Sequence, residues 1–264
     1  MDATSRPILQ IRDLAVVYGT GEGVLRAISE LTLSVGEGEL VSVVGPSGCG
    51  KSTLLRAISG LRRPTSGEVL LNGQLVTGPP PGLAMVFQEY SRSLLPWYTV
   101  LRNVTFPLAA GKLLRTEQEE RAYAALKSVG LQGFERSYPW QLSGGMQQRV
   151  AIARALAYRP VMLLMDEPFA AVDAQTRAEL EDLVVKIQAE TRLTCLFVTH
   201  DIDESVYLGH RVVVLSNRPT HVRQTLDIDL PFPRDQIETK ALPRFTELRT
   251  EISRLIRDSV RVDR

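Results

Sequence analysis

Residues 45–53 read Gly45-Pro46-Ser47-Gly48-Cys49-Gly50-Lys51-Ser52-Thr53 and meet the phosphate-loop pattern G-x-x-x-x-G-K-[ST] at Gly45, Gly50, Lys51 and Ser52. The pattern constrains the fold because it works only where a strand hands over to a helix N-terminus. Residues 40–44 form the short apolar run of a buried strand, and residues 54–58 continue at helical spacing. The glycines let the backbone wrap closely, their N–H groups form an anion nest, and the helix dipole adds positive potential at the same point. Lys51 is expected to reach the β- and γ-phosphates of a nucleotide, and the Ser52 hydroxyl to bind Mg²⁺.

A chain of 264 residues holds one large α/β domain or two modest ones. A formal net charge of +1 gives no reason to expect nucleic acid as a partner. Cys49 and Cys195 are too few and too far apart for a disulfide framework or metal site, so a reducing, cytosolic location is expected. Residues 1–7 lack the apolar segment of a signal peptide, and no run approaches the roughly 18 apolar residues that cross a bilayer. Any membrane role is therefore expected to be carried by a partner. Cys49 lies inside the loop, where a bulky group on its thiol would obstruct a nucleotide.

Residues 8–18 and 25–35 carry apolar side chains near period two, which predicts paired strands joined by a turn over Gly19, Gly21 and Gly23. Tyr18 closes the first of them, either as an adenine-stacking ring or as an ordinary strand tyrosine. A strand over 68–71 precedes the Asn72-Gly73 turn and predicts a small antiparallel sheet beside the main one. Pro79, Pro80 and Pro81 form a rigid connector, and a strand over 83–87 ends in Gln88. From 89 to about 159 strand patterns give way to helical ones, which predicts an inserted helical subdomain. Thr116 and Glu119 have the spacing of a capping box, and Ala122, Leu126 and Val129 share a helix face before Gly130. The run 94–98, Leu-Leu-Pro-Trp-Tyr, reads as a docking edge or as a local mini-core.

Leu142-Ser143-Gly144-Gly145 precedes a helical pattern over 146–158 and forms a second glycine-backed set of donors at a helix N-terminus. Residues 161–165 are an apolar strand that delivers Asp166 and Glu167 at its carboxyl end, where ligands of parallel sheets collect. Asp173 precedes a helix over 174–191, and a strand over 194–199 ends in His200-Asp201 at the same sheet edge. Further strands are predicted over 212–215 and 225–230, then a linker at Pro231 and Pro233. Phe245, Leu248, Ile252 and Ile256 form the stripe of an amphipathic tail helix, packed on the core or on a partner.

The phosphate loop, Gln88, the run 142–149 (Leu-Ser-Gly-Gly-Met-Gln-Gln-Arg), the strand ending in Asp166-Glu167, Asp173 and His200, in this order, resemble the ATPase subunit of an ABC transporter. The likeness spans roughly residues 8–230. It implies an α/β fold: a P-loop NTPase core of the ABC ATPase type, with a small antiparallel β subdomain and an inserted helical subdomain. The implied division is a core over 1–88 and 160–230, a helical signature subdomain over 89–159 and a C-terminal tail helix over 231–264. A separate chain without membrane spans looks like an importer subunit. Phe87-Gln88-Glu89, the run 94–97 and Leu230-Pro231-Phe232-Pro233-Arg234 resemble the nitrate, sulfonate and taurine branch; related importers carry other small anions, such as bicarbonate or cyanate, or pyrimidine precursors.

The resemblance implies two ATPase chains facing head to tail, with ATP between the loop of one (Gly45 to Thr53) and Ser143, Gly144 and Gly145 of the other. It implies that Tyr18 stacks on adenine, that Ser52, Gln88 and Asp166 arrange Mg²⁺, and that Asp173 belongs to the nucleotide site. Glu167 would polarise the attacking water, His200 would bond the γ-phosphate, and Lys51 would hold the phosphates. The implied partners are a second ATPase chain, integral membrane permease subunits and, indirectly, a periplasmic or lipid-anchored solute-binding protein. The implied location is the cytoplasmic face of the membrane.

Overall fold

The computed structural model describes residues 7–19, 23–89 and 93–261. Residues 20–22 of the expected glycine turn and Tyr90, Ser91 and Arg92 lie outside them. The long strands β1 (Pro7–Tyr18) and β2 (Leu25–Gly36) pair antiparallel. After β3 (Leu40–Val44), the phosphate loop and helix α1 (Lys51–Ile58), strands β4 (Ser66–Leu71) and β5 (Gln74–Leu75) complete a four-stranded sheet in the order β2-β1-β4-β5. Asn72 and Gly73 both take positive φ, 50° and 74°, as the tight β4–β5 turn demands.

Strand β6 (Leu83–Val86) returns to the main sheet. Helices α2 (Val100–Thr105), α3 (Arg115–Ser128) and α4 (Gly144–Ala157) follow, and no strand lies among the described residues between β6 and β7. Then come β7 (Met162–Asp166), α5 (Ala174–Thr191), β8 (Thr194–Val198), α6 (Ile202–Leu208), β9 (Arg211–Leu215) and β10 (Val222–Asp227). The chain closes with α7 (Glu238–Ala241) and α8 (Pro243–Arg261). The six-stranded order is β10-β9-β3-β8-β7-β6, parallel except for the antiparallel β10 edge.

The central strands read as continuous apolar runs because both faces are covered. Leu163, Met165, Cys195, Phe197, Val212 and Val214 pack with the helices, while Leu164, Leu196, Val198, Val213 and Leu215 pack with α1 and the antiparallel sheet. That double burial brings the carboxyl ends of β3, β7 and β8 to one edge, where the loop, Asp166 and His200 emerge.

Two local expectations are corrected. Thr116 is not an N-cap: α3 already begins at Arg115, its N-cap Leu114 makes no side-chain bond, and Glu119 instead pairs with Arg115 at 3.0 Å. The last strand runs over 222–227 rather than 225–230, because the turn after Leu215 closes tightly through Ser216 N to His221 O (3.1 Å) and pairing starts at Val222 opposite Leu215. The run 94–98 divides: Leu94 is buried, Trp97 is 67% exposed, and the Asn103 side chain holds the backbone of Leu95, Tyr98 and Thr99. In the tail, Phe245, Leu248 and Ile252 are buried in the core.

Candidate functional site

Helix α1 starts directly at Lys51, and Gly50 before it sits at φ 124°, a conformation that only glycine adopts without strain. Lys51 is buried, and its Nζ donates to the carbonyls of Gly45 (2.9 Å) and Pro46 (3.1 Å), so the ammonium is folded over the loop. Ser47, Gly48, Gly50, Lys51, Ser52, Thr53, Glu167, His200 and Arg218 line one cavity of about 400 Å³. A larger cavity, about 670 Å³, lies around the amino ends of β7 and β8 and contains no loop residue. Its size therefore says nothing about phosphate chemistry.

Asp166 leaves the end of β7 with the Ser52 hydroxyl beside it. Burial, and next the charge of Glu167, push its carboxyl above the usual range, while the Ser52 hydroxyl and Lys51 oppose this. Glu167 follows with φ 43°, a left-handed backbone on a non-glycine residue. The turn is held by Glu167 N donating to Val198 O at 2.8 Å, and it aims the carboxylate across to the end of β8. There His200 Nδ1 lies 2.9 Å from Glu167 Oε2. With Nδ1–H donating to the carboxylate, the ring is oriented and Nε2 is left for a second partner. Backbone strain sustained at such a point is characteristic of functional sites.

Not every expected residue reaches the cavity. Gln88 follows β6, next to β7, but is exposed and does not line it. Tyr18 is part-buried; its hydroxyl lies 3.2 Å from Thr53 Oγ1 and the Arg62 guanidinium covers one ring face at 4.4 Å. Cys49 is buried, and burial raises its thiol pKa, which disfavours the reactive thiolate. Ser143, Gly144 and Gly145 sit at the start of α4, away from the loop, where the Ser143 hydroxyl caps the helix by accepting from Met146 N at 3.3 Å. Asp173 caps α5, accepting from Thr176 N (3.0 Å) and Thr176 Oγ1 (2.8 Å), and these bonds hold its carboxyl below the usual range. The two caps face each other: a Cβ on Gly145 would stand 2.4 Å from Thr176 Cγ2. His210 and His221 are engaged elsewhere, with Leu40 N donating to His210 Nδ1 at 2.9 Å and His221 paired to Ser216.

Residues 28–170 match the family described as ABC transporter. The chain belongs to this family, as an ATP-binding, ATP-hydrolysing subunit. A nitrate import ATP-binding protein of Synechocystis is 44% identical, over 94% of this chain and 95% of that one. A bicarbonate transport ATP-binding protein of the same organism is 42% identical, over 94% and 88%. Among solved structures, a dimeric ATP-binding cassette in a post-hydrolysis state with ADP and phosphate superposes at a TM-score of 0.73. It is 35% identical, with 83% of this ABC subunit and 98% of that chain covered.

Proposed function

We propose that this subunit hydrolyses ATP at a site shared between two copies of the chain, and so drives import of a small oxyanion, nitrate in the first instance, through separate membrane subunits. The observation that carries the reading is the Glu167–His200 pair lying in the cavity of Lys51 and Ser52, because hydrolysis needs a water-orienting carboxylate beside the held phosphate. Lys51 and the loop amides hold the phosphate chain, Glu167 orients the water, and His200, fixed through Nδ1, bonds the terminal phosphate from Nε2. Tyr18, at the end of β1 and bonded to Thr53 of the loop, stacks on adenine. Ser143, Gly144 and Gly145 of a second copy close the site, with Asp173 at the same junction; the dimeric neighbour supports this arrangement.

The residues fit Mg²⁺. Burial and the Glu167 charge raise the Asp166 pKa, a cost that a divalent cation relieves, and the Ser52 hydroxyl neighbours that carboxylate. Ser52 and Asp166, with Gln88 from the end of the neighbouring strand β6, would hold the cation together with phosphate oxygens. Bound there, it would neutralise charge on the leaving phosphate.

No helix among the described residues is long and apolar enough to cross a membrane; in this reading the subunit works from the cytoplasmic face, bound to a separate permease. The tail motif 230–234 and the names of the relatives favour a small oxyanion; the bicarbonate relative makes that ion the second candidate. Vesicles reconstituted with the co-purified permease and solute-binding protein test the reading, with ATP inside and labelled nitrate, bicarbonate or taurine outside. Nitrate uptake that stops with Glu167→Gln is expected. Taurine or bicarbonate uptake alone removes nitrate as cargo, and ATP-driven uptake that survives Glu167→Gln removes the catalytic assignment.

A further inference from the structure

Arg218 stands in the turn between β9 and β10, and nothing in the loop's own sequence points to it. That turn is fixed on several sides. Thr220 is fully buried, its hydroxyl donates to the carbonyl of Cys49 inside the phosphate loop, its N–H donates to Ala27 O (3.0 Å), and its carbonyl accepts from Ser29 N (2.9 Å). Asn217 is tied to the end of α8 through Nδ2 to Ser259 O at 3.1 Å. Between these anchors Arg218 is exposed and makes no hydrogen bond or ion pair with any described residue.

Its guanidinium is nevertheless placed. It lines the cavity of Lys51, Ser52, Glu167 and His200, and Nη2 lies 3.6 Å from where a Gly48 Cβ would stand. Arg218 also borders a cavity of about 650 Å³ beneath the end of α8, but that one contains no loop residue. A guanidinium fork with free donors, held beside a nest of backbone amides, is suited to two-pronged binding of a phosphate. The cavity's reactive pair, Glu167 and His200, is where a phosphate to be cleaved must lie.

We propose that Arg218 is a second phosphate-binding cation of the nucleotide site, pairing with the terminal phosphate of ATP alongside Lys51. The proposal deepens the ATPase reading and rests on it.

The test uses the full chain carrying Glu167→Gln, so that ATP is bound but not consumed, with calorimetric binding of MgATP and MgADP. Arg218→Met is expected to weaken MgATP by about tenfold and MgADP by less than about threefold, the worth of one charge-assisted contact. Arg218→Lys should recover part of the MgATP affinity, since a point charge lacks the fork, and melting temperatures should not move. An Arg218→Met protein that binds MgATP within about twofold of its parent overturns the proposal. So do equal losses for MgATP and MgADP, or a loss confined to dimer formation. If the parent binds no MgATP, or binds it as well after Lys51→Ala, the ATPase reading fails and the proposal falls with it.

Discussion

Glu204 shows how one residue near the site couples the fold to pH. It lies in α6, four residues beyond His200, at 5% exposure, and burial pushes its carboxyl up from 4.5 to about 8. Glu181 and Asp201 raise it further, while the Thr199 hydroxyl and Arg177 oppose the rise. The folded chain therefore keeps a proton that the unfolded chain has lost between those two values, so this group's contribution to stability falls as pH rises through that window. Glu204→Gln keeps the size and removes the titration. Its melting temperature is expected to exceed that of the parent at about pH 8.5 and to change less between about pH 6 and 8.5. Parallel melting curves for the two proteins across that range would contradict the assignment.

At the scale of elements, the packing of α4 on the start of α5 explains a glycine that its motif leaves open. An alanine in a helix is usually better than glycine by up to about 1 kcal/mol. At 145, however, its Cβ would stand 2.4 Å from Thr176 Cγ2, a contact that side chains do not make. Gly145→Ala is therefore expected to lower the melting temperature, and Thr176→Ser, which removes that methyl and keeps the hydroxyl on Asp173, to restore it in the double variant. Additive effects of the two changes would deny the contact. This junction also marks where the sequence stopped being legible. The loop, β7 and β8 could be read because each is a contiguous run whose own residue pattern, glycine spacing or unbroken apolar side chains, sets its local structure. Gly145 meeting Thr176, and Thr220 meeting Cys49 at a separation of 171 residues, depend on how helices and hairpins dock. The capping-box signal at Thr116 failed because the helix begins one residue earlier, which puts Thr116 inside its first turn and leaves Glu119 to pair with Arg115.

At the scale of the whole molecule, one chain does not assemble the site implied by its motifs. Ser143, Gly144 and Gly145 begin α4 outside the cavity lined by Lys51, Glu167 and His200. A two-fold pair would present the same two half-sites twice, each loop facing the other chain's tetrad. Complementation separates this from a single-chain site. Lys51→Ala destroys the loop and spares the tetrad, whereas Ser143→Arg does the reverse; each homodimer should be inactive, and the Ser143→Arg monomer should keep its nucleotide affinity. Mixed dimers contain one intact loop opposite one intact tetrad. Equimolar mixing is expected to restore about a quarter of the wild-type hydrolysis rate, since half the dimers are mixed and each has one working site of two. Because neither chain alone contains both working parts, recovery requires the site to be built across the interface, and a mixture as inactive as its components would return the tetrad to its own chain.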